Sequence, residues 1–363
     1  MRSRGCPAKG GDSVDQVDVS FVVPIYNADG WFLDRLLASL APSAAFTFEV
    51  VMVDDGSDER HAALIDERAA SLPCPHTVVH QPNGGQNAAR NAGVDHARGT
   101  WIQFVDADDE IDMAVFERLV AQVKDSPADL VMAGWWMVGP SGKRLAASRA
   151  VARGYAPAAK KELLLEGDSL WRCLFRRELL ARPGCRLIEG PRIGEDVTSL
   201  FALVLASEHP FASDARFYRY RVQAGSISRS PRPDLVLDIV KAFEILDGRL
   251  GTGARAHAAE IEWLAIMHVL YLGAIRCIES GAAGADNRQA LFSYMDRAHP
   301  AWRENPHLKT EPLAGERAFA CAIAGDWDAL ARELKRQRVR SRLRGAIPAS
   351  ARLFVRELLG RSA

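Results

Sequence analysis

Short apolar runs alternate with amphipathic segments through the first part of the chain. Residues 19–24 and 48–53 are runs rich in Val and Phe, a composition typical of strands that are buried on both faces. Between them leucines recur at helical spacing, and Asn27 stands where we expect the N-cap of that helix. Strands that alternate with helices of this length predict a parallel sheet with helical crossovers.

The same pattern predicts the remaining elements and a change of character near the middle of the chain. Further strands are predicted at residues 77–80, 101–105 and 129–138, and further helices at residues 59–71 and 86–97. After residue 230 the pattern is mostly helical, with helices predicted at residues 235–250, 256–280 and 317–338. We therefore expect an α/β fold, a mostly parallel sheet with helices on both faces, plus a helical C-terminal region. The expected divisions are a disordered N-terminal tail (residues 1–18), the α/β domain (19–230), the helical region (231–330) and a basic amphipathic tail (331–363).

Composition excludes several classes of protein. The 363 residues are 48% hydrophobic and 25% charged, and 46 Lys and Arg balance 46 Asp and Glu, so net charge gives no reason to expect a nucleic-acid partner. The six cysteines form no Cys-x-x-Cys pair, which argues against a zinc knuckle or a disulfide framework and favours a cytoplasmic protein. The N-terminus lacks the apolar core of a signal peptide. We find no run of about 18 apolar residues and expect no membrane-spanning helix.

Two carboxylates follow the predicted strand at residues 101–105. Asp106 and Asp108 stand two residues apart, at the edge of the sheet where open α/β folds bind ligands. Both can turn toward one point, and a hard divalent cation prefers oxygen ligands and commonly bridges phosphates. The alternative is a solvated acidic turn in which Asp109 or Asp112 caps the next helix.

Two further turns lie at the same predicted edge. Asp55, in the segment Asp-Asp-Gly-Ser, can accept from a base N–H or a ribose hydroxyl. Taken alone, the segment is better explained as a strand-to-helix turn in which Ser57 or Asp58 is the N-cap. An Asn-Gly-Gly turn at residues 83–85 opens a helix that carries Arg90. The amides of that turn, with Arg90, could face a phosphate; an ordinary glycine turn is the alternative.

Two candidate sites follow in the second half of the α/β region. Glu195 and Asp196 open an amphipathic helix, where the helix dipole alone would favour carboxylates. Residues 218–221 (Tyr-Arg-Tyr-Arg) precede a Gly- and Ser-containing stretch with Ser228 and Arg229. That stretch suits a strand followed by a mobile basic loop, and an edge strand with solvated arginines is the simpler reading.

In their order and spacing these segments closely resemble the family 2 inverting glycosyltransferases with the GT-A fold, of the bacterial polysaccharide-biosynthesis type. The segments are VVPIYN, VDDGS, NGGQNAARNAG, FVDADDE, GEDVTSLFAL and YRYRVQAGSISRS, which fall within residues 19–230. Residues 170–180 (LWRCLFRRELL) also resemble a stretch of many bacterial members. Those members often have Asn-Lys where this chain has Arg172-Cys173, a departure that puts inherited assumptions about the acceptor site in doubt.

The resemblance implies roles for residues on the donor side. Pro24 and Tyr26 would line the nucleobase pocket, and Asp55 would bind uracil or ribose. Asp106 and Asp108 would hold Mn²⁺ or Mg²⁺ against the diphosphate of the nucleotide sugar, with Asp108 the direct ligand.

The resemblance also implies the acceptor side and the closing loop. Asp196 would be the general base, and Glu195 would position the acceptor or the base. Ser228 and Arg229 would lie on a loop that closes over the diphosphate.

The implied reaction moves a hexosyl or N-acetylhexosaminyl group, with inversion, from a nucleotide-diphosphate sugar, commonly a UDP-sugar, to a glycan or lipid-linked acceptor. One in-line displacement needs one base and a stabilised leaving group. A non-catalytic protein that binds sugar nucleotides or glycans on the same fold is the alternative, and loss of Asp108 or Asp196 would have favoured it. A nicotinamide dehydrogenase is disfavoured because PIYNADG replaces the Gly-x-Gly-x-x-Gly turn after the first strand.

The C-terminal end of the chain suggests a membrane surface as a further partner. Arginines are dense from Arg332 to Arg344, and after Pro348 a short apolar face contains Leu353 and Phe354. A basic stretch with an amphipathic helix can lie on anionic lipid, so we expect peripheral association with the inner face of the cell membrane. Packing of that helix on the globular body is the alternative. The donor sugar, the acceptor and the oligomeric state leave no readable motif.

Overall fold

The computed structural model describes residues 17–148, 152–222 and 232–343. Its centre is a ten-stranded sheet in which eight strands follow the order β3-β2-β1-β4-β9-β6-β10-β5, with β7 on β6 and β8 on β10. The strands are β1 (Val19–Ile25), β2 (Phe48–Asp55), β3 (His76–Gln81), β4 (Trp101–Phe104), β5 (Glu110–Ile111), β6 (Leu130–Val138), β7 (Arg144–Ala147), β8 (Tyr155–Pro157), β9 (Cys173–Arg176) and β10 (Pro210–Arg221).

Helices cover the sheet and form the C-terminal region. Those of the α/β region are α1 (Gly30–Ser39), α2 (Glu59–Ala70), α3 (Gln86–His96), α4 (Met113–Val123), α5 (Lys160–Glu166), α6 (Arg177–Ala181) and α7 (Glu195–Ala206). Those of the C-terminal region are α8 (Asp234–Arg249), α9 (Ala258–Ala265), α10 (Gly273–Glu279), α11 (Ala282–Ala285), α12 (Arg288–Ala298), α13 (His307–Thr310), α14 (Arg317–Ile323) and α15 (Trp327–Leu343). A π-helical segment, Ile266–Leu272, joins α9 to α10.

Three parallel strands end at the same edge of the sheet. β1 pairs in parallel with both β2 and β4, and β2 pairs in parallel with β3. β9 runs antiparallel between β4 and β6, and β6 is again parallel to β10. The predicted fold class, a mostly parallel sheet with helices and a helical C-terminal region, is confirmed. The carboxyl ends of β1, β2 and β4 therefore lie side by side.

The helical C-terminal region shares a hydrophobic core with the α/β region. One apolar cluster joins α3 and α7 to α8 and the later helices, and a second lies on the other face of the sheet. Gly194, just before α7, has φ +85°, and a Cβ there would meet Ile239 of α8 at 3.1 Å. Glycine therefore permits both the left-handed turn and the close approach, and α8 supports the start of α7.

Two local predictions are wrong. Asp29, not Asn27, caps α1 and accepts from the Trp31 amide at 2.8 Å. Asn27 has φ +47° and accepts from the Asp58 amide at 3.0 Å, so it ties the end of β1 to the turn after β2. The single helix predicted at 317–338 is two helices, because Gly325, with φ +69°, turns the chain between α14 and α15.

The expectation about membrane-spanning length also needs correction. The helix Ala254–Glu279 is long and apolar enough, with a mean hydropathy of 1.5 in its most apolar window. Within the protein 67% of that window is buried, as in a core helix.

Ser228, Arg229 and the predicted tail segments 1–16 and 344–363 lie outside the described residues. The helix α15 continues across the predicted division after residue 330.

Candidate active site

Carboxylates from distant parts of the chain meet around Arg90, at the edge where β1, β2 and β4 end. Arg90 projects from α3 and is completely buried. Its Nη2 donates to Oδ1 of Asp106, just after β4, at 2.7 Å. Its Nη1 forms a short ion pair with Asp196 in the first turn of α7 and donates to Oδ1 of Asn87 at 2.9 Å. One guanidinium therefore links the two acidic motifs that the sequence singled out.

The segment after β4 is fixed by β10. The Asp106 amide donates to the hydroxyl of Tyr218 at 3.0 Å, and that hydroxyl donates to Oδ2 of Asp109 at 2.8 Å. The amide of Arg221 donates to the other oxygen of Asp109 at 2.7 Å. Asp112 precedes α4 but makes no side-chain cap, so the alternative of a helix-capping acidic turn is not what the structure shows.

Burial and proximity of like charges shift the titration of these carboxyl groups. Burial, reinforced by the negative charge of Asp106, raises the pKa of Asp108 to about 6. Burial and the neighbouring Asp108 and Asp106 raise the pKa of Asp109 well above its ordinary value. A cation bound here would relieve this repulsion.

This donor set fits a divalent cation that is shared with phosphate. Among the residues that the structure describes, no group of three His, Cys, Asp or Glu side chains is placed to hold a metal ion. Mg²⁺ characteristically binds one or two carboxylates, with substrate phosphates and water as its other ligands. Asp106 and Asp108 provide such a pair of carboxylates.

Glu195 and Asp196 differ in their partners. Burial, with the charge of Asp196 beside it, raises the pKa of Glu195 to about 8. Burial also raises the pKa of Asp196, but the ion pair with Arg90 opposes that rise. Burial therefore favours the neutral form of Glu195, while Arg90 favours the ionised form of Asp196. Separation of two neighbouring carboxyl groups in this way is typical of acid–base sites.

The turn after β2 is held by hydrogen bonds of its own. The carboxylate of Asp55 accepts from Gln81 Nε2 at 2.7 Å and from the amides of Gly84 and Gly85 at 2.9 and 2.8 Å. The amides of the glycine turn, which the sequence suggested could face a phosphate, thus face Asp55. Gly56, with φ +76°, allows this close arrangement, because a Cβ there would meet the Asn83 amide nitrogen at 2.6 Å.

The other predicted site residues are placed as follows. Pro24 is buried within β1, while Tyr26, which follows the end of that strand, is 56% exposed. Arg172, at the departure from the usual family pattern, is buried. It donates to the carbonyl oxygens of Ala133 and Glu166 at 3.0 and 2.7 Å and pairs with Asp168 at 3.1 Å. Its role in this fold is to hold neighbouring backbone.

Two asparagines of α3 were missed by the sequence reasoning. Asn87 donates to the carbonyl of Ile188 at 2.9 Å and to the hydroxyl of Ser199 in α7 at 3.1 Å. Asn91 donates to the side chain of Glu189 at 2.6 Å. The available signal was a pair of asparagines four residues apart inside a helix, where Asn is a poor helix former.

Comparison with known proteins finds similar sequences among glycosyltransferases. The family described as "Glycosyl transferase family 2" matches residues 20–183, a range that ends before Glu195 and Asp196. The chain is 30% identical to the uncharacterized glycosyltransferase EpsJ of Bacillus subtilis (strain 168), over 59% of this chain and 63% of that protein. It is 29% identical to the succinoglycan biosynthesis protein ExoO of Rhizobium meliloti (strain 1021), over 64% of this chain and 69% of that protein.

A solved structure shares the fold. S. aureus TarS (residues 1–349), in complex with UDP-GlcNAc, superposes with a TM-score of 0.67 at 20% sequence identity. The match covers 88% of this chain and 92% of that one, so it extends into the helical C-terminal region. The resemblance to family 2 and the GT-A fold that it implied are confirmed.

Proposed function

We propose that this chain, whose residues 20–183 match glycosyl transferase family 2, transfers a sugar with inversion from a nucleotide-diphosphate sugar to a glycan or lipid-linked acceptor. The observation that carries the proposal is the meeting of two acidic pairs, Asp106 with Asp108 and Glu195 with Asp196, across Arg90 at the carboxyl edge of the sheet. A single displacement needs a base for the attacking hydroxyl on one side of the reacting carbon and a stabilised leaving group on the other.

A UDP-sugar is the proposed donor. The TarS structures in complex with UDP-GlcNAc and UDP support this choice, because they share the fold of this chain. Pro24 and Tyr26 would bound the nucleobase pocket at the end of β1. Asp55, at the end of β2, would meet the base or the ribose beside them. Ser228 and Arg229 are proposed to lie over the diphosphate.

Asp106 and Asp108 are proposed to hold Mn²⁺ or Mg²⁺, with Asp108 as the direct ligand. When bound, that ion would neutralise the diphosphate both as donor and as leaving group. Tyr218 and β10 fix the backbone at Asp106, so the position of this carboxylate is set before the donor arrives.

Asp196 is proposed as the base that accepts the proton of the attacking hydroxyl. Its position in the first turn of α7 is supported by Arg90, and neutral Glu195 beside it can donate a hydrogen bond to the acceptor or to Asp196. The raised pKa of Asp196 increases its strength as a base, and the ion pair with Arg90 favours its ionised form.

The basic C-terminal segment is proposed to hold the protein at an anionic membrane surface, near a lipid-linked acceptor. Arg332, Lys335 and Arg336 are exposed on α15, and further cations follow in sequence. Sedimentation with anionic and neutral liposomes tests this, comparing the full chain with one that ends at Leu343, so that α15 remains. Salt-sensitive binding of the full chain to anionic vesicles supports it, and loss of that binding on truncation would assign it to the residues after α15. No binding of the full chain at low salt refutes it.

The transfer itself is tested by release of nucleoside diphosphate from a panel of nucleotide sugars with Mn²⁺ or Mg²⁺. We expect slow release without acceptor, faster release with a suitable glycan or lipid-linked acceptor, and loss of both with a chelator. The Asp196→Asn variant should bind donor but not transfer it. If the wild-type protein binds a donor but turns it over with none of the acceptors, it is instead the non-catalytic binding protein that the sequence left as the alternative.

A further inference from the structure

We infer that Arg90 is a positioning residue that holds Asp196 for the acceptor step and couples it to Asp106 on the donor side, rather than a ligand of the donor phosphates. The inference rests on the proposed function and deepens it, because it assigns the link between the two halves of the site. The observation is geometric: one side chain, on one helix, reaches both acidic motifs.

Burial separates Arg90 from the usual phosphate-binding arginine. The residue is completely buried, and the ring of Phe104 lies 5.8 Å from its guanidinium carbon. Both terminal nitrogens already donate to carboxylate or amide oxygens, of Asp106, Asp196 and Asn87. The remaining nitrogen, Nε, has no hydrogen-bond partner but is buried as well. A phosphate that approached the terminal nitrogens would compete with these partners, and breaking a buried ion pair is strongly unfavourable.

The helix that carries Arg90 cannot easily shift. Gly93 of α3 packs so closely on β1 that a Cβ there would meet Val22 Cγ1 at 2.3 Å. Asn87 and Asn91 of the same helix hold the backbone at Leu187 and Ile188, which precedes α7. The helix α3 therefore forms a fixed support between β4 and α7, and Arg90 is the residue on it that contacts the proposed base directly.

The test is Arg90→Lys, because an ammonium keeps the charge but cannot replace a planar fork that reaches two carboxylates. We expect kcat for transfer to the acceptor to fall by about 10²-fold, the scale of a misplaced base. We expect the dissociation constant of the UDP-sugar with Mn²⁺, measured by calorimetry without acceptor, to stay within about threefold of the wild-type value. The acceptor-free release of UDP should change less than the transfer rate.

The matched control is Arg98→Lys. Arg98 follows the other end of α3, and its fork holds the buried carboxylate of Glu49 at 2.7 and 2.8 Å. The same exchange at this distant place should lower the melting temperature and leave kcat and donor binding unchanged. A fall in kcat for Arg98→Lys equal to that for Arg90→Lys would mean that general destabilisation, not positioning, explains the loss.

Two further variants keep the inference testable if Arg90→Lys does not fold. In an Asp196→Asn background, Arg90→Lys should add little further loss of kcat, because its action passes through Asp196. Asn87→Ala removes the oxygen that orients Nη1, and it should lower kcat with donor binding unchanged.

The inference is overturned if Arg90→Lys or Asn87→Ala weakens donor binding tenfold or more while the rate at saturating donor persists. That result would make Arg90 a phosphate ligand. Absence of transfer by the wild-type protein is a separate outcome, since it would refute the proposed function before any variant is compared.

Discussion

Two strand ends at one edge of the sheet have nearly the same sequence, but the pKa values of Asp54 at one and Asp108 at the other shift in opposite directions. The strand β2 ends in Asp54 and Asp55, whereas Asp106, Asp108 and Asp109 follow β4. Burial favours the neutral form of Asp54, but hydrogen bonds from Ser57 and His80 outweigh it and lower its pKa. After β4 hydrogen bonds do not outweigh burial, and the pKa of Asp108 rises to about 6.

The difference shows which of the two acidic turns has hydrogen-bond donors for its carboxylates within the fold. The turn after β2 supplies donors for its carboxylates from its own loop and from the start of α3. The acidic cluster consists of Asp106, Asp108, Asp109, Glu195 and Asp196. Arg90 pairs with Asp106 and Asp196. The pKa values of four members are raised, namely those of Asp108, Asp109, Glu195 and Asp196. Perturbed groups of this kind concentrate at functional sites, so function is expected from the cluster and mainly stability from the turn.

The largest effect is expected for Asp196→Asn, within the cluster. The amide preserves size but cannot accept the proton of the acceptor, so kcat should fall by about 10²–10⁴-fold. Donor binding measured without acceptor should change little, and Glu195→Gln should be milder or act on the acceptor KM. Steady-state kinetics of both variants measure this, and a dead Glu195→Gln beside an active Asp196→Asn would reverse the two roles.

Asp108→Ala should lower turnover by more than about 10²-fold, because it removes the proposed direct ligand of the metal ion that would neutralise the leaving diphosphate. The melting temperature should hold or rise, since a buried like charge is lost. Calorimetry should show donor binding that is weaker and no longer metal-dependent. Wild-type activity in excess chelator would contradict the metal assignment.

Asp55→Ala should lower the free energy of unfolding by about 1–3 kcal/mol, because the amides of Gly84 and Gly85 lose their acceptor. Urea denaturation measures this. The control is Asp95→Ala, which breaks the exposed pair with Arg186 and should cost at most about 1 kcal/mol. If Asp55→Ala is as stable as the wild type, the contrast between turn and cluster fails.

Glu195→Gln should show the smallest effect on turnover and a characteristic pH dependence of stability. A folded-state pKa of about 8 lies above the unfolded value, so the protonated form contributes stability that is complete at low pH and is lost as pH rises toward 8. Gln does not titrate. The free energy of unfolding of the wild type should therefore fall relative to that of the variant between pH 5 and pH 8.5. If the difference between the two free energies is the same at both pH values, the pKa of Glu195 lies near its ordinary value.

The sequence by itself determined the framework of the α/β region and the motifs on it. The strands β1 to β4 and the helices between them were predicted to within a few residues, because apolar runs and helical periodicity are local signals. The order of the acidic motifs was enough to show the resemblance to glycosyl transferase family 2, which matches residues 20–183. Local signals failed at Asn27 and Gly325, where a contact across the fold or a left-handed glycine decided the conformation.

Only the tertiary structure decided how the motifs act on one another. Nothing local shows that Arg90 pairs with both Asp106 and Asp196, that Asp55 accepts from the glycine turn, or that α8 supports the start of α7. Each depends on groups far apart in the chain that folding brings together. Burial and charge at such meetings set the pKa values, and these distinguish the acidic cluster from the acidic turn that resembles it in sequence.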